Sequence, residues 1–213
     1  MQRIKERRYF AKAISLGISL ALLICLSGCE TAKTTNTDHR SIEISIDKGV
    51  NPPKGSAKAA ALQALVVLAQ GNQQEMDAYS IMDVSRISVW DLQQQVLYHG
   101  ATETKYPPLE IRECSMISRE RFQACLQNSL GGPDPGYYSF ETTIPAKPSV
   151  EASNSLNALE NFGRQQGATT IEYCRIELIS SAGQNYSHAI AMMLFGFDDG
   201  SWKTDYPSMI ASE

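Results

Sequence analysis

"HAIAMMLFGFDDGSWKTDY", residues 188 to 206, constrains the fold more than any other stretch of the chain. From Ala189 to Phe197 it is apolar at odd and even positions alike, as in a central strand covered on both faces. Asp199-Gly200 then supplies a hairpin turn, and "WKTDY" returns as the next strand. Just upstream, "IEYCRIELIS" alternates, with Cys174, Ile176 and Leu178 on one face and Arg175 and Glu177 on the other. Because "SAGQN" turns the chain between them, three consecutive antiparallel strands are expected, with helices packed on one face.

Helical signals dominate the middle of the chain. In "SAKAAALQALVVLAQG", Ala57, Ala60, Ala61, Ala64, Leu65 and Leu68 form one stripe at helical spacing. Ser56 is placed to cap its start and Gly71 to end it in the left-handed region. A second helix follows at once, because Asn72 with Glu75 has capping-box form and Met76 and Tyr79 give it an apolar face. Val89, Leu92, Val96 and Trp90 are compatible with a further helix. "YPPLEIRECSMI" reads as extended and then as a strand, since Pro107 and Pro108 hold the chain out of helix. "SRERFQACLQNSLGG" is helical, lined by Phe122, Cys125, Leu126 and Leu130, and "SNSLNALENFGRQQG" is helical up to Gly167. "GGPDPG" is a loop, and "YYSFETTIPAKP" reads as a short strand.

The beginning of the chain carries a different message. Residues 1 to 12 hold five basic residues and one acid, and Ala13 to Leu26 is free of charge. At 1.5 Å per residue that run rises roughly 21 Å as a helix, short of a ~30 Å hydrocarbon core. A basic start, a short apolar middle and small residues at its end describe an export signal; the alternative is a short anchor left uncleaved. Leu26-Ser27-Gly28-Cys29 resembles the lipobox of bacterial lipoproteins. That resemblance implies a diacylglyceryl thioether on Cys29, cleavage before it and acylation of its new amino group. Glu30, in place of the aspartate that often signals inner-membrane retention, points to the outer membrane, with the domain facing the periplasm.

Removing residues 1 to 28 takes away five basic residues and one acid, leaving 14 Lys+Arg against 22 Asp+Glu and a net charge of -8. An acidic globule gains nothing from phosphate neutralisation, which excludes nucleic acid as a partner class. Residues 29–54 read as a lipidated N-terminus and polar tether with an r.m.s. reach of roughly 25 to 30 Å. Within it, "SIEISI" alternates as a strand would. Residues 55–213 are then one α+β domain.

Three cysteines remain beyond Cys29, namely Cys114, Cys125 and Cys174. Export places them in an oxidising space where one pair can bridge. Cys114 and Cys125 are nearest in sequence and make the expected disulfide, while Cys174 reads as a buried thiol. No Cys/His grouping suggests a metal, and no cofactor motif is present.

Two stretches, "LQALVVLAQGNQQEMDAYS" and "MLFGFDDGSWKTDYP", are similar to the NTF2-like superfamily and its small bacterial lipoproteins. The likeness implies N-terminal helices packed on a curved antiparallel sheet that wraps a cone, with an insertion or variant helices between Leu97 and Val150. In such a cone, Tyr173, His188 and Trp202 are the expected pocket residues, and His188 beside Glu172 or Glu177 is the minimum for acid–base work. His39 and His99 read as solvated, and Tyr137-Tyr138 as a binding lip or a half-buried pair. The expected function is a non-catalytic interaction module in the cell envelope, either an assembly accessory or an immunity-type protein that masks a toxin. The competing reading is a small-molecule enzyme or ligand carrier using the pocket.

Overall fold

A computed structural model describes residues 41–98, 107–131, 149–180 and 187–212, all within a compact unit spanning Asn36–Glu213. The expected residues at Cys29, His39, His99 and Tyr137-Tyr138, with the loop and short strand predicted between 132 and 148, lie outside the described residues.

The unit is a mixed α+β fold built on a curled, mainly antiparallel sheet. Strand β1 (Ile44–Ile46) pairs in parallel with β2 (Leu109–Ile117), and β2 pairs antiparallel with β3 (Thr170–Ser180). Next come β4 (Ser187–Gly196) and, on its far edge, β5 (Trp202–Thr204) and β6 (Ile210–Ser212) in succession. A single 3-10 turn at Tyr206–Ser208 separates those last two. Parallel neighbours need a long crossover, and the β1-to-β2 connection contains α1 (Ala57–Gln70), α2 (Gln73–Tyr79) and α3 (Val89–Leu92). A π-helical turn, Gln93–Leu97, prolongs the last of these. Two more helices, α4 (Arg119–Gly131) and α5 (Val150–Gln165), lie between β2 and β3 in the chain.

The caps read from the sequence hold. Ser56 Oγ accepts from Ala59 N–H, Gly71 ends α1 at φ 70°, and Asn72 Oδ1 accepts from Glu75 N–H. The end of α1 is further held by a residue that the sequence does not flag. Gln93, fully buried in the π turn, donates through Nε2 to Leu68 O at 2.9 Å and Ala69 O at 3.1 Å. These are carbonyls that a helix leaves without an internal partner.

Strand β4 is buried at every position after Ser187, as its two-sided apolar pattern demands. Its even-numbered residues Ile190, Met192 and Leu194 join Cys174, Ile176, Leu178 and the apolar stripe of α1 in a first core. Its odd-numbered residues Ala189, Ala191, Met193 and Phe195 join Phe122, Leu126 and Leu156 from α4 and α5 in a second. Helices therefore cover both faces, not the single face expected. The physical reason lies in β4 itself, because a strand apolar on both sides leaves a hydrophobic face bare unless each is covered.

The folded region also begins earlier than residue 55. The segment expected as tether supplies β1, and Ile42 is buried with its N–H on Ala69 O at 2.8 Å. Two apolar side chains, Ile42 and Ile44, are enough to draw this stretch onto the sheet edge and the end of α1.

Candidate functional site

The three expected pocket residues are placed apart. Tyr173 belongs to the second core, on the α4/α5 side of the sheet. His188 is buried and pairs with Leu178, whose side chain belongs to the first core, so it lies on the opposite face. Trp202 also packs on the first core, but it pairs with Gly196, eight residues along β4 from His188. At about 3.3 Å per residue that separation is roughly 26 Å. The acids expected beside His188 are also displaced. Glu177 pairs with Ala189 on the other face, and Glu172 pairs with Leu194, six residues away along β4.

Each of these aromatic residues has a structural task. Trp202 donates its indole N–H to Gly55 O at 3.1 Å, fixing the loop that leads into α1, and its ring lies over Gly196, where a Cβ would come within 2.9 Å. Tyr173 stacks at a tilt on Phe122, centroids 5.1 Å apart, and donates its hydroxyl to Glu160 Oε1. Arg119 completes the group. Its Nε donates to Glu160 Oε1 at 2.6 Å, and its Nη2 donates to Glu160 Oε2 at 3.0 Å and Asn157 Oδ1 at 2.7 Å.

Arg119, Glu160 and Tyr173 thus tie α4, α5 and β3 together through a bidentate, charge-assisted pair of the strong kind. Burial alone would raise the Glu160 carboxyl, but hydrogen bonds from Arg119 and Tyr173 outweigh it and hold the group below its ordinary value of 4.5. Tyr173 moves the other way, pushed up by burial and then by the neighbouring carboxylate. The depressed Glu160 stabilises the fold above its unfolded pKa, and that contribution is lost as pH falls through the folded value. Glu160→Gln is expected to cost about 1–2 kcal/mol at neutral pH. It should also flatten the loss of stability below pH 4.5, as read by urea unfolding across pH.

Among the cysteines the structure corrects the expected pairing. Cys114 packs against the first core from β2, whereas Cys125 packs in the second core from α4, so the sheet stands between them. Nearness in sequence misleads here because the chain crosses from one face to the other between β2 and α4. The neighbour of Cys114 is Cys174, with Sγ atoms 3.6 Å apart. All three are free thiols, and burial pushes Cys125 up to about 11.

Part of the edge of the sheet has no strand neighbour among the described residues. Strand β1 pairs only with Leu109–Ile111, so among the described residues no strand borders β2 from Glu113 to Ile117 on its outer edge. Met116 lies there, 37% exposed. Near it on the α4/α5 side, Glu113 stands opposite Glu177 across the strands, and Arg175 approaches Glu177 at 3.4 Å. At the other end, the Asp198-Asp199 turn is occupied with its own backbone, Asp199 Oδ1 accepting from Ser201 N–H at 2.8 Å. No group of three or more His, Cys, Asp or Glu able to hold a metal occurs among the described residues.

Arg119, Glu160 and Asp205 carry no signal in the sequence. The last is a carboxyl only 3% exposed, with no hydrogen-bond partner for Oδ1 among the described residues, and burial pushes it up to about 6. No local pattern marks any of the three, since each is defined by distant contacts or burial. No family model, curated protein or solved structure matches the chain.

Proposed function

We propose that this chain is an exported, lipid-anchored bacterial envelope protein whose α+β domain is a non-catalytic interaction module. The observation that carries the reading is Leu26-Ser27-Gly28-Cys29 at the end of a short charge-free run behind a basic start. Acyl chains on Cys29 bury methylenes at about 0.8 kcal/mol each, so two or three chains hold a water-soluble domain at a bilayer without a spanning helix. The partner is a protein of the envelope. The module serves as an assembly accessory or as an immunity-type mask, on the outer membrane and facing the periplasm.

On this reading the module has a short reach. With Ile42 in the core, it stands thirteen positions after Cys29, about half of what a leash to residue 54 would give. At most ~3.3–3.6 Å per residue confines the domain to within roughly 45 Å of the headgroups. On this reading the outer edge of β2 beside Met116, which no strand among the described residues borders, is the element that faces the partner. We also keep the NTF2-like kinship as part of the proposal, supported by α1 and α2 lying on one face of a curled sheet, with α4 and α5 as an addition on the other. The enzyme reading loses its support because Tyr173, His188 and Trp202 do not converge.

Cys29→Ala is the direct test. The variant should leave the membrane fraction and lose incorporation of labelled palmitate. Unchanged sedimentation with membranes would mean that the apolar run, not the cysteine, does the anchoring.

A further inference from the structure

Cys114 and Cys174 sit on neighbouring antiparallel strands, 60 residues apart in sequence, and their Sγ atoms touch at 3.6 Å. In register, Cys114 faces Ile176 and Cys174 faces Met116, so the two thiols are diagonal neighbours on one face of the β2/β3 ladder. Such neighbours stay within reach of each other's side chains. The ladder shifts register between Ile111 and Glu113, and this local irregularity leads directly into Cys114. Their environments differ: Cys174 is fully buried, while Cys114 is partly exposed.

We propose that Cys114 and Cys174 are a redox pair that closes to a cross-strand disulfide on meeting a disulfide oxidant, and that Cys125 takes no part. Access and chemistry assign the order of events. A hydrogen bond from the Cys174 thiol, which outweighs burial, holds Cys114 below its ordinary value, with the charge of Lys58 helping. Cys174 is shifted upward by the same contact and by burial, so it remains the thiol of the pair until its neighbour reacts. The Cys114 thiolate attacks one sulfur of the oxidant, here glutathione disulfide. That S–S bond breaks, and one glutathione thiolate leaves and takes up a proton. Cys174 then loses its proton and attacks the Cys114 sulfur of the mixed disulfide, expelling the second glutathione, again protonated. Two protein thiols are oxidised and one glutathione disulfide is reduced to two thiols. Bringing the sulfurs from 3.6 Å to the ~2.0 Å of a disulfide requires both side chains to rotate and, for diagonal neighbours, the two strands to draw closer at this point of the ladder. Cys125 is half-buried like Cys114, but it lies across the sheet from the other two, and desolvation makes its thiol resist ionisation.

The sequence makes the test clean, because trypsin places the three cysteines on separate peptides, Glu113–Arg119, Phe122–Arg164 and Gln165–Arg175. The full chain is equilibrated with glutathione disulfide, its remaining thiols are alkylated, and it is digested without reduction. The expected product is Glu113–Arg119 linked to Gln165–Arg175, separating on reduction, with Cys125 alkylated. Cys125→Ser should leave the link intact, and Cys174→Ser should abolish it and leave glutathione on Cys114. Three singly alkylated peptides from the wild-type chain, or a link to Phe122–Arg164, would overturn the proposal. Neither outcome depends on the state of Cys29, so this test and that of the lipid anchor fail separately.

Discussion

Gly163→Ala should destabilise the protein by about 2 kcal/mol, a fall of roughly 4–8 °C in Tm for a domain of this size. The direction is not obvious, because alanine inside a helix is favoured over glycine by about 1 kcal/mol. Gly163 is buried in α5 against β4, and a Cβ added there would lie 2.1 Å from Cε1 of Phe195 and 2.2 Å from Cδ1. Carbon atoms need about 3.5–4.0 Å, so the ring must retreat by more than an ångström. Phe195 is fully buried in the second core and has little room to do so. Overpacking of this kind costs roughly 1–3 kcal/mol, more where the rotamer must change, and outweighs the propensity gain. Shrinking the ring removes the conflict, so Gly163→Ala in a Phe195→Leu background should be neutral or stabilising relative to Phe195→Leu alone. A stabilised Gly163→Ala single variant in thermal or urea melts would show that α5 does not press on Phe195 in this way.

Asp205→Asn should stabilise the protein near pH 8 by about 2–3 kcal/mol and remove a pH dependence. The wild-type carboxyl titrates in the fold at about 6, against an ordinary value of 3.8, because burial penalises the charged form. Between those values the folded chain keeps a proton that the unfolded chain has released. Stability is therefore greatest with respect to this group below pH 3.8, and it falls as pH rises through about 6. A two-unit displacement corresponds to about 3 kcal/mol. Glu160 acts in the opposite sense at the acidic end, so together the two groups give an optimum between their ranges, on the acidic side of neutrality. Asparagine keeps the shape of Asp205 and abolishes the charge, leaving a flatter profile between pH 3.8 and about 6. An unchanged profile would mean that the ionised carboxylate is solvated in its place.

Local rules carried much of this fold and failed at identifiable points. Ser56, Gly71 and Asn72 mark the ends of α1 and the start of α2 because capping needs only neighbours in the chain. The alternation in β3 and the doubly apolar run in β4 likewise state which side chains are covered. Which elements cover them is another matter. The odd residues of β4 called for a second layer, yet nothing in "SRERFQACLQNSLGG" says that Phe122 meets Tyr173. Register was equally hidden. Cys114 and Cys174 meet because β2 and β3 are aligned by a ladder with a shift in it, and that alignment has no signature in either strand alone. Trp202 illustrates the limit for sites: an aromatic residue at a strand start fits a pocket wall, whereas its indole N–H is committed to Gly55 O.

The intact mass of the protein recovered from bacterial membranes measures the chemistry at Cys29 directly. The expected polypeptide begins at Cys29 and is heavier than residues 29–213 by a diacylglyceryl group and an N-linked acyl chain. A mass matching an uncleaved chain from Met1, with Cys29 carrying an unmodified thiol, would contradict that expectation.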